Sequence, residues 1–301
     1  MTFHQKNLKI MLFLMIVMAL GGTKAFIDYR LNLSIEQWII STLPRVTTEY
    51  HAEYATAIFS LLGAMVISKL HLTDGHKTFE IDQLVLKKAY QLYRLNAIPQ
   101  HLRLVLHQIR WTVHDQDTTV PVLVTLSGYN PYYINFNELN NLGCTQADIY
   151  LSADLEENSW HLSMRIVETT GSELSMTVTA NCSHCTLAQG ANVISSLALT
   201  EIVVNYSDNG LIKKVFNFLS KRQSAILTTF KHTLFNRLSN DIRQSPLILD
   251  PQALEQLRQF IETPNHLSVQ LSVNPPLAAK QLETMNLGKS RFTLKITTSS
   301  P

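Results

Sequence analysis

Apolar and polar residues alternate with a period of two over much of the chain. The clearest case is Trp160, Leu162, Met164 and Ile166 against His161, Ser163 and Arg165. It is followed by Leu174, Met176, Val178 and Ala180 against Ser175, Thr177 and Thr179. Successive side chains on a strand point to opposite faces, so each run predicts a strand with one apolar and one wet face. Thr169-Thr170-Gly171-Ser172 joins the two as a turn. With extended segments at 149–155 and 197–206, the pattern predicts an antiparallel meander. Upstream, residues 46–58 begin extended, Leu62-Gly63 marks a turn, 65–72 is a strand, Asp74-Gly75 is a hairpin signal and 79–86 returns. Residues 87–96 read as a short helix ended by Pro99. Residues 102–113 read as a long strand with Val105, Ile109, Trp111 and Val113 on one face. The stretch 115–147 is less regular, with a short helix at 135–142.

Beyond residue 207 the period lengthens to that of helices. Asp208-Asn209-Gly210 breaks the last meander strand and can cap a helix whose apolar face is Leu211, Val215, Phe218 and Leu219. A second helix, 224–242, carries Ile226, Leu227, Phe230, Leu234 and Leu238 in one stripe. Asp250-Pro251 starts a third, with Leu254, Leu257, Phe260 and Ile261 pointing inward and Pro264 ending it. Closing strands are predicted at 266–273 and 291–296, separated by Pro275-Pro276 and the stretch around Gly288. No internal repeat and no low-complexity linker appears, so residues 45–301 read as one α+β domain: β-rich over 45–207, helical over 208–263, with closing strands over 264–301. The expected architecture is a curved antiparallel meander sheet with helices packed on one face, preceded by an N-terminal membrane helix.

That N-terminal helix rests on residues 10–23, which carry no charge. Lys6 and Lys9 form a basic region before it. Fourteen residues span about 21 Å as a helix, against roughly 30 Å for a bilayer core. The run, with Ile10, Leu12, Phe13, Leu14, Ile16, Val17 and Leu20, therefore fits a signal peptide over 1–28, or a signal-anchor if Lys24 snorkels and Ala25-Phe26-Ile27 extends the span. Both export the remainder, the anchor with the lipid bilayer as its partner. Residues 29–44 read as a juxtamembrane helix, part of an apolar pattern running from Phe26 through Leu31, Ile35 and Trp38 to Leu43, stopped by Pro44.

Composition narrows the function classes. The chain has 301 residues, 46% apolar and 16% charged, which is ample for a core and excludes disorder. A net charge of +2, from 25 basic and 23 acidic residues, argues against a nucleic-acid binder using a broad basic face, though a local patch is compatible with it. Three cysteines are too few for a disulfide-dense scaffold. Cys182-Ser183-His184-Cys185 is the one motif with reactive potential. In an exported loop Cys182 and Cys185 are a disulfide candidate. The rival function is a periplasmic thiol–disulfide oxidoreductase using the same pair, although that motif belongs at a helix start rather than after a strand. Cys144 reads as a small buried hydrophobe. No phosphate loop, G-x-S-x-G, H-E-x-x-H or dinucleotide fingerprint is present, and the eleven histidines are scattered singly. No catalytic residue, metal ligand or cofactor is therefore assigned.

Three passages read together. One is Tyr54 through Leu72, containing Ser60-Leu61-Leu62-Gly63-Ala64-Met65-Val66-Ile67, followed by Ile81-Asp82-Gln83-Leu84-Val85-Leu86. The second is Asn205-Tyr206-Ser207-Asp208-Asn209-Gly210-Leu211. The third is Phe260-Ile261-Glu262-Thr263-Pro264-Asn265-His266-Leu267-Ser268-Val269, running on to Pro275-Pro276. With the N-terminal run, the chain resembles bacterial YdgA-like and AsmA-like proteins. That resemblance implies a single span in the inner membrane, a β-rich body in the periplasm and, from AsmA-like relatives, envelope lipid handling along an apolar β groove. The expectation is a non-catalytic envelope protein that binds an apolar ligand or scaffolds envelope partners. An open apolar face on the sheet would favour the ligand, and a filled one the scaffold.

Overall fold

The computed structural model describes residues 51–60, 63–73, 77–88, 101–113, 120–156, 159–182, 197–278 and 291–299, with Lys24, Tyr29, Arg30, Leu33 and Gln281. The apolar run 10–23, and with it Ile10, Leu12, Phe13, Leu14, Ile16, Val17 and Leu20, lies outside the described residues, as do Cys185 and most of 29–44. Among the described residues no helix is long and apolar enough to cross a membrane.

The described strands are β1 (His51–Glu53), β2 (Thr56–Phe59), β3 (Met65–Thr73), β4 (Lys77–Lys87), β5 (His101–Val113), β6 (Gln146–Glu156), β7 (Ser159–Glu168), β8 (Glu173–Cys182), β9 (Leu197–Ser207), β10 (Leu247–Leu249), β11 (His266–Ala278) and β12 (Arg291–Ser299). The described helices are α1 (Val122–Leu126), α2 (Phe136–Asn141), α3 (Leu211–Arg222), α4 (Leu227–Gln244) and α5 (Ala253–Glu262). All the strands join one sheet in the order β1-β3-β4-β5-β6-β7-β8-β9-β11-β12-β10, with β2 also on β3. Pairing is antiparallel except between β10 and β12. The fold is thus α+β, with a mainly antiparallel sheet and helices on one side.

Register explains why one face is apolar from edge to edge. Ile67, Leu84, Leu106, Ile149, Ile166, Leu174, Tyr206 and Leu267 are successive register partners across eight strands. Ser152, Ser163, Thr177, Val203 and Gln270 form a largely polar row on the other face. One core lies where α3, α4 and α5 cover the β11–β12 end, with Phe216, Leu219, Phe230, Leu257 and Ile261 against Leu294 and Ile296. A second lies at the β2–β5 end, around Ala57, Ile67, Leu70, Ile81 and Ile109.

Bulges keep the ladder continuous, and they correct the sequence reading in two places. The β5–β6 register shifts between Leu106 and Ile109, where Gln108 takes a φ of 50° and donates its N–H to Asp148 Oδ1 at 2.7 Å. An extra residue turns the following side chains over. Leu106, Ile109 and Trp111 therefore share the apolar face, whereas Val105, paired with Val85 and Tyr150, lies on the other. Pro275-Pro276 do not separate strands. They sit inside β11, at a register shift between Ser272 and Leu277 and after a cis Asn274–Pro275 bond, where no ladder N–H is needed. Two helix details also differ. Phe216, not in the predicted stripe, is a buried residue of α3, and Ile226, counted in the α4 stripe, is its N-cap and 75% exposed. Lys87 closes β4 and Lys88 is a turn residue, while the remainder of the helix expected over 87–96 lies outside the described residues.

Candidate functional site

Between the two cores the described residues leave part of the apolar face uncovered. A cavity of about 720 Å³ lies there, within the range of small-molecule sites. The sheet supplies one wall through Phe79, Ile109, Trp111, Ile149, Ile166 and Leu174; Phe136 and Leu139 of α2 and Leu211 of α3 supply the other. Of the described lining residues only Glu168 carries a charge.

The roof is pinned from several directions. Asn135 and Glu138 form a capping box on α2: Glu138 donates its N–H to Asn135 Oδ1 at 2.8 Å, and Asn135 returns its N–H to Glu138 Oε2 at 2.9 Å. Phe136 meets Phe79 edge to face and Trp111 at a tilt, both with centroids 5.7 Å apart. Arg222, at the end of α3, donates to Glu138 Oε1 at 2.9 Å and to the carbonyls of Pro131 and Tyr133 at 2.8 and 2.7 Å. One guanidinium thus ties the roof segment to the helical layer.

The polar end wall is occupied with its own geometry. Glu168 accepts from the Thr170 N–H at 2.7 Å, the Thr170 hydroxyl and the Ser172 N–H at 3.1 Å. Ser172, 1% exposed, accepts the Asn209 N–H at 2.8 Å. Tyr206 donates to Asp208 Oδ1 at 2.8 Å, and Asp208 also accepts from the N–H groups of Gly210 and Ile212 at 3.0 and 2.9 Å, capping α3. Gly171, with φ 89°, turns the β7–β8 connection toward Asn209 in a conformation that costs glycine little. These bonds stitch the hairpin to the strand–helix junction. They leave the carboxylate engaged in the turn, and the cavity is chemically a hydrocarbon surface.

Burial acts on acids in the cavity wall and elsewhere in the fold. Cys144 lines the cavity at 6% exposure and is a free thiol. Burial, then the neighbouring Glu168, pushes its pKa up to about 11, so it is a neutral thiol rather than a nucleophile at ordinary pH. Tyr129, bonded to Asp241 at 2.5 Å, is pushed up to about 12 by burial and that carboxylate, and burial with Asp208 raises Tyr206 as well. In each case the folded state holds a proton that the unfolded chain releases earlier. The stabilisation is complete below the unfolded value and is lost as pH rises through the folded one. For Cys144 that window runs from its ordinary 9.0 to about 11. Urea midpoints are expected to fall across it, with a smaller fall in Cys144→Ala; identical profiles for the two proteins would contradict this.

Cys182, the described member of the disulfide candidate, is fully buried and disulfide-bonded at the end of β8, and it is not part of the cavity. His107 lies 3.6 Å from Asp148 and edge to face on Tyr150, while His161 contacts Ser159 and Thr179 on the polar face. Among the described residues no group of three or more His, Cys, Asp or Glu could hold a metal ion. Sequence reasoning passed over Phe136, Leu139 and Arg222 as functional residues. The alternation that predicted the strands signalled an apolar face, but nothing local marked which part of it would stay uncovered.

A family model described as "Uncharacterized protein" matches residues 125–297, over half of the chain, from α1 through most of β12. No curated protein matches the chain.

Proposed function

We propose that this chain, which belongs to the family of uncharacterized proteins matched over residues 125–297, is a non-catalytic, membrane-anchored protein of the bacterial envelope that binds lipid hydrocarbon in the cavity beneath α2. The observation that carries this reading is an apolar cavity of about 720 Å³ that the described residues leave open on the sheet face between the helix-covered end and the β2–β5 core. An unfilled hydrocarbon surface is costly in water, at roughly 25 cal/mol per Å², and an acyl chain removes that cost. The anchor is supported by the uncharged run 10–23 and by Lys6 and Lys9 before it. An inner-membrane anchor with the body in the periplasm is the matching placement. A scaffolding role has less support, because a scaffold gains nothing from an unfilled face. The thiol–disulfide alternative has less again: Cys182 is fully buried at a strand end, whereas an activated thiol is solvent-accessible.

The test is Ala147→Trp, which places an indole in the cavity from β6. The purified full chain is expected to carry extractable lipid by mass spectrometry and to protect Cys144 from maleimide. The variant, if its circular dichroism is unchanged, is expected to lose the lipid. Wild-type protein without lipid, or a folded variant with as much, refutes the reading.

A further inference from the structure

On the other face of the sheet, the charges on β4 and β5 follow a rule that is broken at one place. Arg110 lies opposite Glu80 and reaches Asp82 at 2.8 Å; His71 also lies opposite Glu80. His101 lies opposite Asp154 and is 2.8 Å from it. Lys87, however, lies directly opposite Arg103. Like charges facing each other across a ladder destabilise a sheet, so folding energetics does not account for this pair.

The pair belongs to a cleft of about 490 Å³ formed by Ser60, Val85, Lys87, Lys88, His101 and Arg103. Lys88 follows β4 with a φ of 55°, a conformation that non-glycine residues seldom adopt. Among the described residues no side-chain hydrogen bond or ion pair holds Lys87, Lys88 or Arg103, and Asp154, which adjoins the cleft, is engaged by His101. The sequence around it adds no counter-charge. From residue 83 to residue 114 there are five Lys or Arg and no Asp or Glu, although the whole chain is nearly neutral at +2.

We propose that this cleft is an anion site for a phosphate group, held by the Arg103 guanidinium and the Lys87 and Lys88 ammonium groups. Arginine pairs with two phosphate oxygens at once, and lysines add point charge, which suits a tetrahedral oxyanion better than a lone carboxylate. A bound phosphate converts the repulsion between Lys87 and Arg103 into shared attraction. The site does not depend on the lipid reading, because Val85, Lys87 and Arg103 alternate away from Leu84, Leu86 and Leu104 and so face away from the cavity. A free phosphate compound and a phospholipid headgroup offer the same chemistry, and the test separates them.

Full-length protein in a neutral detergent is titrated with inorganic pyrophosphate, and separately with micelles doped with phosphatidylglycerol or phosphatidylcholine, with binding and melting temperature as readouts. Saturable binding that weakens with salt and falls at least about tenfold in the Lys87→Gln/Arg103→Gln double variant is expected. Binding of pyrophosphate identifies a free phosphate compound. Binding of phosphatidylglycerol alone, over phosphatidylcholine, identifies a headgroup. The single variant Lys87→Gln is expected to fold at least as well as wild type, because it removes the repulsion, and to bind more weakly. Absence of binding to either anion, or equal binding by the folded variants, overturns the proposal.

Discussion

Phe230→Ala is expected to destabilise the protein by about 3–5 kcal/mol, the usual cost of emptying a buried phenyl site. Phe230 is 1% exposed and lies in α4, with its ring 5.9 Å from the centroids of both Phe216 in α3 and Tyr132 in the segment before α2. It is the point where the helical layer and the roof segment meet, so the surrounding groups cannot collapse into the void without parting helix from helix. Thermal melts are expected to shift down by roughly 6–20 °C at the few degrees per kcal/mol typical of domains of this size. Ile226→Ala is the control. It precedes the same helix but is 75% exposed, and a change within about 0.5 kcal/mol is expected. Equal effects of the two substitutions would mean that the helical layer is not packed as described.

Arg222→Ala is expected to cost about 2–4 kcal/mol and to open the cavity. The side chain makes three charge-assisted hydrogen bonds, to Glu138 and to two carbonyls, and lies over the Phe218 ring at 5.6 Å. Such bonds are worth roughly 1.5–3 kcal/mol each when buried. The Arg222 side chain is 33% exposed, and water can replace part of each bond, so the sum is discounted. Loss of this tie frees α2, and with it Phe136 and Leu139, from the helical layer. Maleimide labelling of Cys144 is therefore expected to speed up more than global destabilisation explains, measured at a denaturant concentration where both proteins are folded. Arg222→Lys is expected to rescue little, since a single ammonium cannot reach three acceptors on two sides. Labelling that tracks global stability alone would place the opening elsewhere.

Much of this protein was legible from residue order. Alternation of apolar and polar positions is a direct consequence of strand geometry, so the strands 65–72, 79–86, 102–113 and the meander are written in the residue order itself. Caps are equally local: Asp208 ahead of α3 and Asp250 ahead of α5 act through backbone N–H groups two to four residues away. What periodicity could not carry was an interruption of the period itself. The bulge at Gln108 depends on Asp148, forty residues on, and it decides that Val105 and Ile109 face opposite ways. β10, three residues long, exists only because β12 offers it an edge.

Residue order alone therefore determined the class of the fold, its two-faced strands and its helical segment, because those follow from interactions within a few residues. Only the tertiary structure decided where the apolar face is covered and where it is left as a cavity. That depends on Arg222 and Phe230 holding helices to segments far away in the chain. The same holds for the basic cleft: Lys87 and Arg103 are sixteen positions apart, and only strand pairing brings their charges face to face.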